Sequence, residues 1–123
     1  MELYYRADRL SRPIAAPKIK TLTKAYGWCD APLHGQYNRP IVEPFAASHE
    51  SFWRNDRAYD LVITTNHNQR PRIQGFGSAI FLHVANADAI ETEGCIALSP
   101  KHLRNVLARC AKRAYLVIKP AMG

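Results

Sequence analysis

The chain has 123 residues, 47% of them hydrophobic, enough for one domain with a real core and too few for two. Its 17 Lys and Arg outnumber 10 Asp and Glu for a net charge of +7, and no run approaches the ~20 apolar residues of a membrane-spanning helix. No repeat or low-complexity tract interrupts it, so residues 1–123 read as a single domain.

In chain order, residues 1–26 are basic and punctuated by Pro13 and Pro17, which predicts loop with short extended pieces, Thr21-Leu22-Thr23 among them. Gly27 to Pro44 is irregular, and a long irregular loop in a small domain is more often functional than idle. Trp28, Asp30, Tyr37, Asn38 and Arg39 are candidates to line a substrate groove there. An equal alternative is that Trp28 and Tyr37 only cover the core. Ser48 to Arg54, with an N-cap-like serine ahead of Phe52 and Trp53, predicts a short helix. Tyr59 to Thr65 is rich in β-branched residues and predicts a central strand.

Asn66-His67-Asn68-Gln69 reads as a polar turn in which His67 is a solvated residue. Asn66 and Arg72 are candidates for holding a substrate carboxylate, Arg72 through its two-pronged guanidinium. Gly75 and Gly77 frame the approach to Ser78-Ala79-Ile80-Phe81-Leu82, an apolar run that predicts a buried strand. A polar loop, Asn86 to Glu93, separates that run from Ile96-Ala97-Leu98. Ser99-Pro100 is a strong helix start, with Leu103, Val106, Leu107 and Cys110 on one apolar face. Ala114 to Lys119 predicts a last strand, closed by Pro120.

His83 stands twelve positions ahead of Cys95, and Gly94 directly precedes the cysteine. Two strands joined by a short connection would bring a histidine at one strand end beside a cysteine at the start of the next. A thiolate–imidazole nucleophile pair needs that arrangement, because a free thiol is mostly protonated at neutral pH. The pairing predicts a thiolate forming well below the unperturbed thiol value of about 8.5. Gly94 lets the chain turn so that amides near Cys95 face a developing oxyanion. Thr92 or Glu93 could hold His83 in one orientation. A small buried cysteine and a satisfied core histidine fit the same residue types equally well.

The constellation resembles the catalytic core of the L,D-transpeptidases (the YkuD-type family) of bacterial peptidoglycan. Their motif is a strand histidine, a loop, then Ser/Thr-His-Gly-Cys and an aliphatic residue. His83, Thr92, Gly94, Cys95 and Ile96 fall on it, giving Thr-Glu-Gly-Cys here. The similarity extends to Gly27-Trp28-Cys29-Asp30, Tyr37-Asn38-Arg39-Pro40, Tyr59-Asp60-Leu61-Val62 and Gly77 to His83, like a small bacterial subgroup. Glu93 replaces the motif's second histidine, Ala97 stands where many members carry arginine or asparagine, and the loop after His83 is short.

The resemblance implies a mainly β, β-rich α+β domain whose core sheet is flanked by one clear helix. It implies that Cys95 attacks a stem-peptide amide beside an L-configured centre, with His83 as base and Gly94–Cys95 amides as oxyanion donors. An amine acceptor then gives a crosslink. Water as acceptor would make an L,D-carboxypeptidase or amidase, and a non-catalytic wall-binding domain is the more distant alternative. No metal or organic cofactor is implied. The partners expected are peptidoglycan stem peptides.

Family members carry strands ahead of the point matching Tyr4-Tyr5, so the chain is expected to lack the first strands. An edge so uncovered invites a second copy or a partner chain. The family implies the cell envelope or periplasm. Met1 to Arg6 has no apolar stretch of a secretory signal, which leaves a cytoplasmic location open. Nucleic acid is not expected, since aromatic residues do not interleave with the basic clusters at Arg6 to Lys24 and Lys101 to Lys119. Cys29, Cys95 and Cys110 form no CxxC and suit no zinc site. Cys29 and Cys110 are either a disulfide or two buried thiols.

Overall fold

A computed structural model describes residues 2–15, 18–69, 71–85, 95–110 and 114–117. Among them lie eight strands and one helix: β1 (Leu3–Tyr5), β2 (Ile19–Thr21), β3 (Tyr26–Cys29), β4 (Pro40–Val42), β5 (His49–Ser51), β6 (Leu61–Thr64), β7 (Phe81–Val84), β8 (Ile96–Leu98) and α1 (Pro100–Arg109). The larger sheet runs β2-β1-β6-β7-β8 and the smaller β4-β3-β5. The mainly β fold with one helix is the one expected.

Alternation along the strands splits the larger sheet's side chains between two cores. Tyr4, Val62 and Phe81 join Trp28, Phe52 and Tyr59 in an aromatic core shared with the smaller sheet. Leu3, Tyr5, Leu61, Ile63 and Val84 join Leu103 and Leu107 of α1 in an aliphatic core. The order is therefore helix, five-stranded sheet, three-stranded sheet. β6 is the middle strand and buried throughout, as its Leu-Val-Ile-Thr sequence requires. Phe52, 1% exposed, centres the aromatic core, with Tyr4 at 5.4 Å, Phe81 at 5.4 Å, Tyr59 at 5.6 Å and Trp28 at 6.3 Å between ring centroids.

Helix α1 begins as its sequence dictates. Ser99 caps it, its side chain accepting the His102 N–H at 3.2 Å, and Pro100 opens the first turn. Leu103 and Leu107 are buried, while Val106 is 39% exposed and Cys110 is the C-cap residue, so the apolar face is narrower than predicted. Ser99→Ala should destabilise the protein by about 1 kcal/mol, lowering the melting temperature by roughly 3–6 °C in thermal unfolding.

Two local expectations are corrected. Ser48 to Arg54 is not helical: His49–Ser51 pairs with Cys29, Trp28 and Gly27 of β3, and the Ser48 hydroxyl donates to Asp30 Oδ1 at 2.6 Å instead of capping a helix. Sheet pairing and the burial of Phe52 outweigh a weak local helix signal. β1 lies inside the sheet, between β2 and β6, and among the described residues β2 and β8 form its edges. Residues 114–117 form no strand, and Tyr115 is 92% exposed.

Candidate active site

His83 and Cys95 come together through strands that are parallel, in the register Leu82↔Ile96, His83↔Ala97, Val84↔Leu98. Cys95 stands one place before β8, level with Phe81 and two positions short of His83. A hairpin would have set strand end against strand start. Here the two residues are diagonal neighbours on one face of the sheet, the face turned to the aromatic core.

The sulfur is held by backbone. It accepts the Phe81 N–H at 3.4 Å and donates to the Ala79 carbonyl at 3.0 Å. Ala79 adopts a left-handed backbone with φ 59°, uncommon without a glycine and costly by about 1–3 kcal/mol. Such strain is a frequent mark of a functional site. Burial pushes the Cys95 thiol up, the Phe81 N–H pulls it back, and the Glu50 charge raises it further. The expectation of a lowered thiol is thus reversed, and the resting group is the protonated thiol.

His83 is 8% exposed, and its Nδ1 lies 2.8 Å from the Val84 carbonyl. A carbonyl only accepts, so Nδ1 carries the proton and Nε2 offers the lone pair. The Tyr59 ring stands edge-on to the imidazole at 5.4 Å and 72°. The remaining motif residues Thr92, Glu93 and Gly94 lie outside the described residues.

Trp28 and Tyr37 are 5% and 6% exposed, so both cover the core, one of the two roles expected for them. Trp28 Nε1 donates to Asn38 Oδ1 at 3.0 Å, and Asn38 Nδ2 donates to the carbonyls of His67 and Asn68 at 2.9 Å each. Asn38 tolerates the φ of 58° this needs. Arg72 Nη1 donates to the Tyr37 carbonyl at 3.3 Å, and the Gly77 N–H donates to the Tyr37 hydroxyl at 3.1 Å. Gly77 has φ 119°, and a Cβ there would come within 2.8 Å of His67 Nε2. His67 is the exposed turn residue expected, and its Nε2 also lies 3.1 Å from the Phe76 carbonyl.

These bonds tie residues 67–69 and 72–77 to the β3–β4 loop just ahead of Ala79, whose carbonyl accepts the hydrogen bond from the thiol. Arg72 thus has a structural bond, whereas Arg39 and Asn66 are exposed. Trp28, Tyr37 and Arg72 are gathered in one network, with Asn38 at its centre.

Cys29 and Cys110 are free thiols, Cys29 buried and Cys110 half-buried. A pocket of about 290 Å³ opens between β1–β2 and β3–β4, lined by Tyr4, Lys20, Tyr26 and Phe52 among others, and includes neither His83 nor Cys95. Among the described residues no helix is long and apolar enough to cross a membrane.

Sequence position alone does not single out Glu50 or Tyr59 as a site residue. Tyr59 heads a strand-like run and Glu50 sits in a segment that reads as helix, and only the stacking of the two sheets brings them to His83 and Cys95.

The family model of the L,D-transpeptidase catalytic domain (YkuD) matches residues 1–118. No curated protein and no solved structure matches the chain.

Proposed function

Because the chain belongs to the L,D-transpeptidase catalytic-domain family, we propose that it is a cysteine acyltransferase acting on peptidoglycan stem peptides. Cys95 is the nucleophile and His83 the base. The observation that carries this reading is the pair's shared sheet face, with Nδ1 of His83 committed to the Val84 carbonyl and Nε2 left to take a proton.

The thiol is protonated at rest, so proton removal accompanies attack. The S–H turns from the Ala79 carbonyl to His83 Nε2, and the Phe81 N–H stabilises the charge growing on sulfur. The C–S bond forms at the substrate amide carbon, and amides of Gly94 and Cys95 receive the oxyanion. His83 then gives its proton to the departing amine as the C–N bond breaks. An amine of a second stem peptide attacks the thioester, restoring the thiol and leaving a crosslink. Thr92 and Glu93 are proposed to orient His83, and Arg39, Asn66 and Arg72 to meet the substrate carboxylates, with Trp28 and Tyr37 supporting that wall from beneath. The substrate places the reaction in the cell envelope.

Purified disaccharide-peptide fragments, incubated with the protein and resolved by mass, test the reading. Crosslinked dimers are expected. Shortened monomers alone would mean that water is the acceptor, making the protein a carboxypeptidase or amidase. Neither product, together with no acylation of Cys95 by a carbapenem, would leave a non-catalytic wall-binding domain.

A further inference from the structure

Glu50 occupies the middle of β5, opposite Trp28 of β3 in the pairing. It therefore shares Trp28's face and points between the two sheets. Its Oε2 accepts the Tyr59 hydroxyl at 2.7 Å. Tyr59 is 4% exposed and closely surrounded: Phe52 at 5.6 Å, Phe81 at 6.0 Å, and the Arg54 guanidinium 5.1 Å from its ring centroid. Its remaining edge contact is the His83 imidazole. A line of contact thus runs from the Glu50 carboxylate through a clamped phenol ring to the base.

We propose that Glu50 and Tyr59 are a positioning pair: Glu50 fixes the Tyr59 ring, and that ring holds the His83 imidazole where Nε2 meets the Cys95 proton. The proposal rests on the reading of His83 and Cys95 as an acyl-transfer pair. It assigns the supporting carboxylate to β5, far in sequence from the motif. Tyr59 holds the imidazole in the plane from which Nδ1 reaches the Val84 carbonyl, so the single tautomer depends on both contacts.

The groups facing the sulfur explain what the carboxylate adds. Glu50 comes from β5, Tyr59 from the loop before β6, and His83 from β7. The nearby Arg54 cation is already paired with Asp56 at 2.6 Å. Beyond burial, the Glu50 charge raises the Cys95 thiol. It adds to burial in favouring the protonated thiol.

Three variants of the full chain test the pair: Tyr59→Phe, Glu50→Gln and Glu50→Ala. Acyl transfer, Cys95 alkylation by iodoacetamide against pH, and ring ¹⁵N signals of His83 are read together with the melting temperature. Tyr59→Phe unpins the ring, so transfer should fall about tenfold and the His83 signals should show mixed tautomers. Glu50→Gln keeps an acceptor for the Tyr59 hydroxyl and removes the charge, so the alkylation curve should move to lower pH while one tautomer persists. Glu50→Ala should move both readouts.

Wild-type tautomer and wild-type alkylation curves in all three would overturn the proposal and leave Glu50 and Tyr59 as packing alone. Should the wild-type protein transfer no acyl group, the acyltransferase reading fails, whereas the alkylation and ¹⁵N readouts still decide the Glu50–Tyr59 coupling.

Discussion

Cys95→Ala should lose all acyl transfer and all carbapenem acylation, and the protein should still fold. The substitution removes the sulfur and with it the hydrogen bonds to the Phe81 N–H and the Ala79 carbonyl. An amide left without its acceptor costs about 1–3 kcal/mol when buried, and Cys95 is only partly buried. The melting temperature should therefore fall by several degrees without collapse. Cys95→Ser separates the two effects. Its hydroxyl keeps both hydrogen bonds and should restore the melting temperature, while transfer stays absent because an alcohol is a far poorer nucleophile here. Cys29→Ala and Cys110→Ala should keep activity, since Cys29 lies in the core and Cys110 caps α1. Wild-type rates in Cys95→Ala would move the nucleophile elsewhere.

Elements whose signals are local are legible in the residues themselves. Ser99-Pro100 dictates where α1 starts, and Leu-Val-Ile-Thr at 61–64 reads as a strand covered on both faces. His83 and Cys95 are legible as a candidate pair because both fall on the residues of a recognisable motif. Their relative position is not. Nothing in residues 81–98 distinguishes a hairpin from a parallel pair, and the parallel register sets them two positions apart on one face. β5 escapes for a related reason: its partner β3 lies some twenty residues earlier, and strand pairing over that distance leaves no mark on the local pattern.

The thiol's direction escapes on electrostatic grounds. A neighbouring imidazole argues for a lowered thiol, yet burial acts first and the Glu50 charge reinforces it. Both depend on how the smaller sheet closes over β7. The network around Asn38 is half legible. Tyr37-Asn38-Arg39-Pro40 marks a segment of interest, but its work is to tie two loops together beneath the site.

His83→Gln should lower acyl transfer by about 10²–10⁴-fold, the usual contribution of a positioned general base. The sign of the thiol's shift decides how this loss varies with pH. A thiol raised above the ordinary value stays protonated at neutral pH, so little thiolate exists there to react unaided. Transfer at neutral pH then depends on His83 removing the proton during attack, and the loss should be largest there. As pH rises through the raised thiol value, hydroxide does the same work and the alkylation rates of variant and wild type should converge. A structural role predicts otherwise. Losing the Tyr59 edge contact, worth about 0.5–1.5 kcal/mol, would lower stability without a pH-dependent gap in Cys95 reactivity. Alkylation measured from neutral pH upward separates the two, and superimposed curves for His83→Gln and wild type would remove His83 from the chemistry.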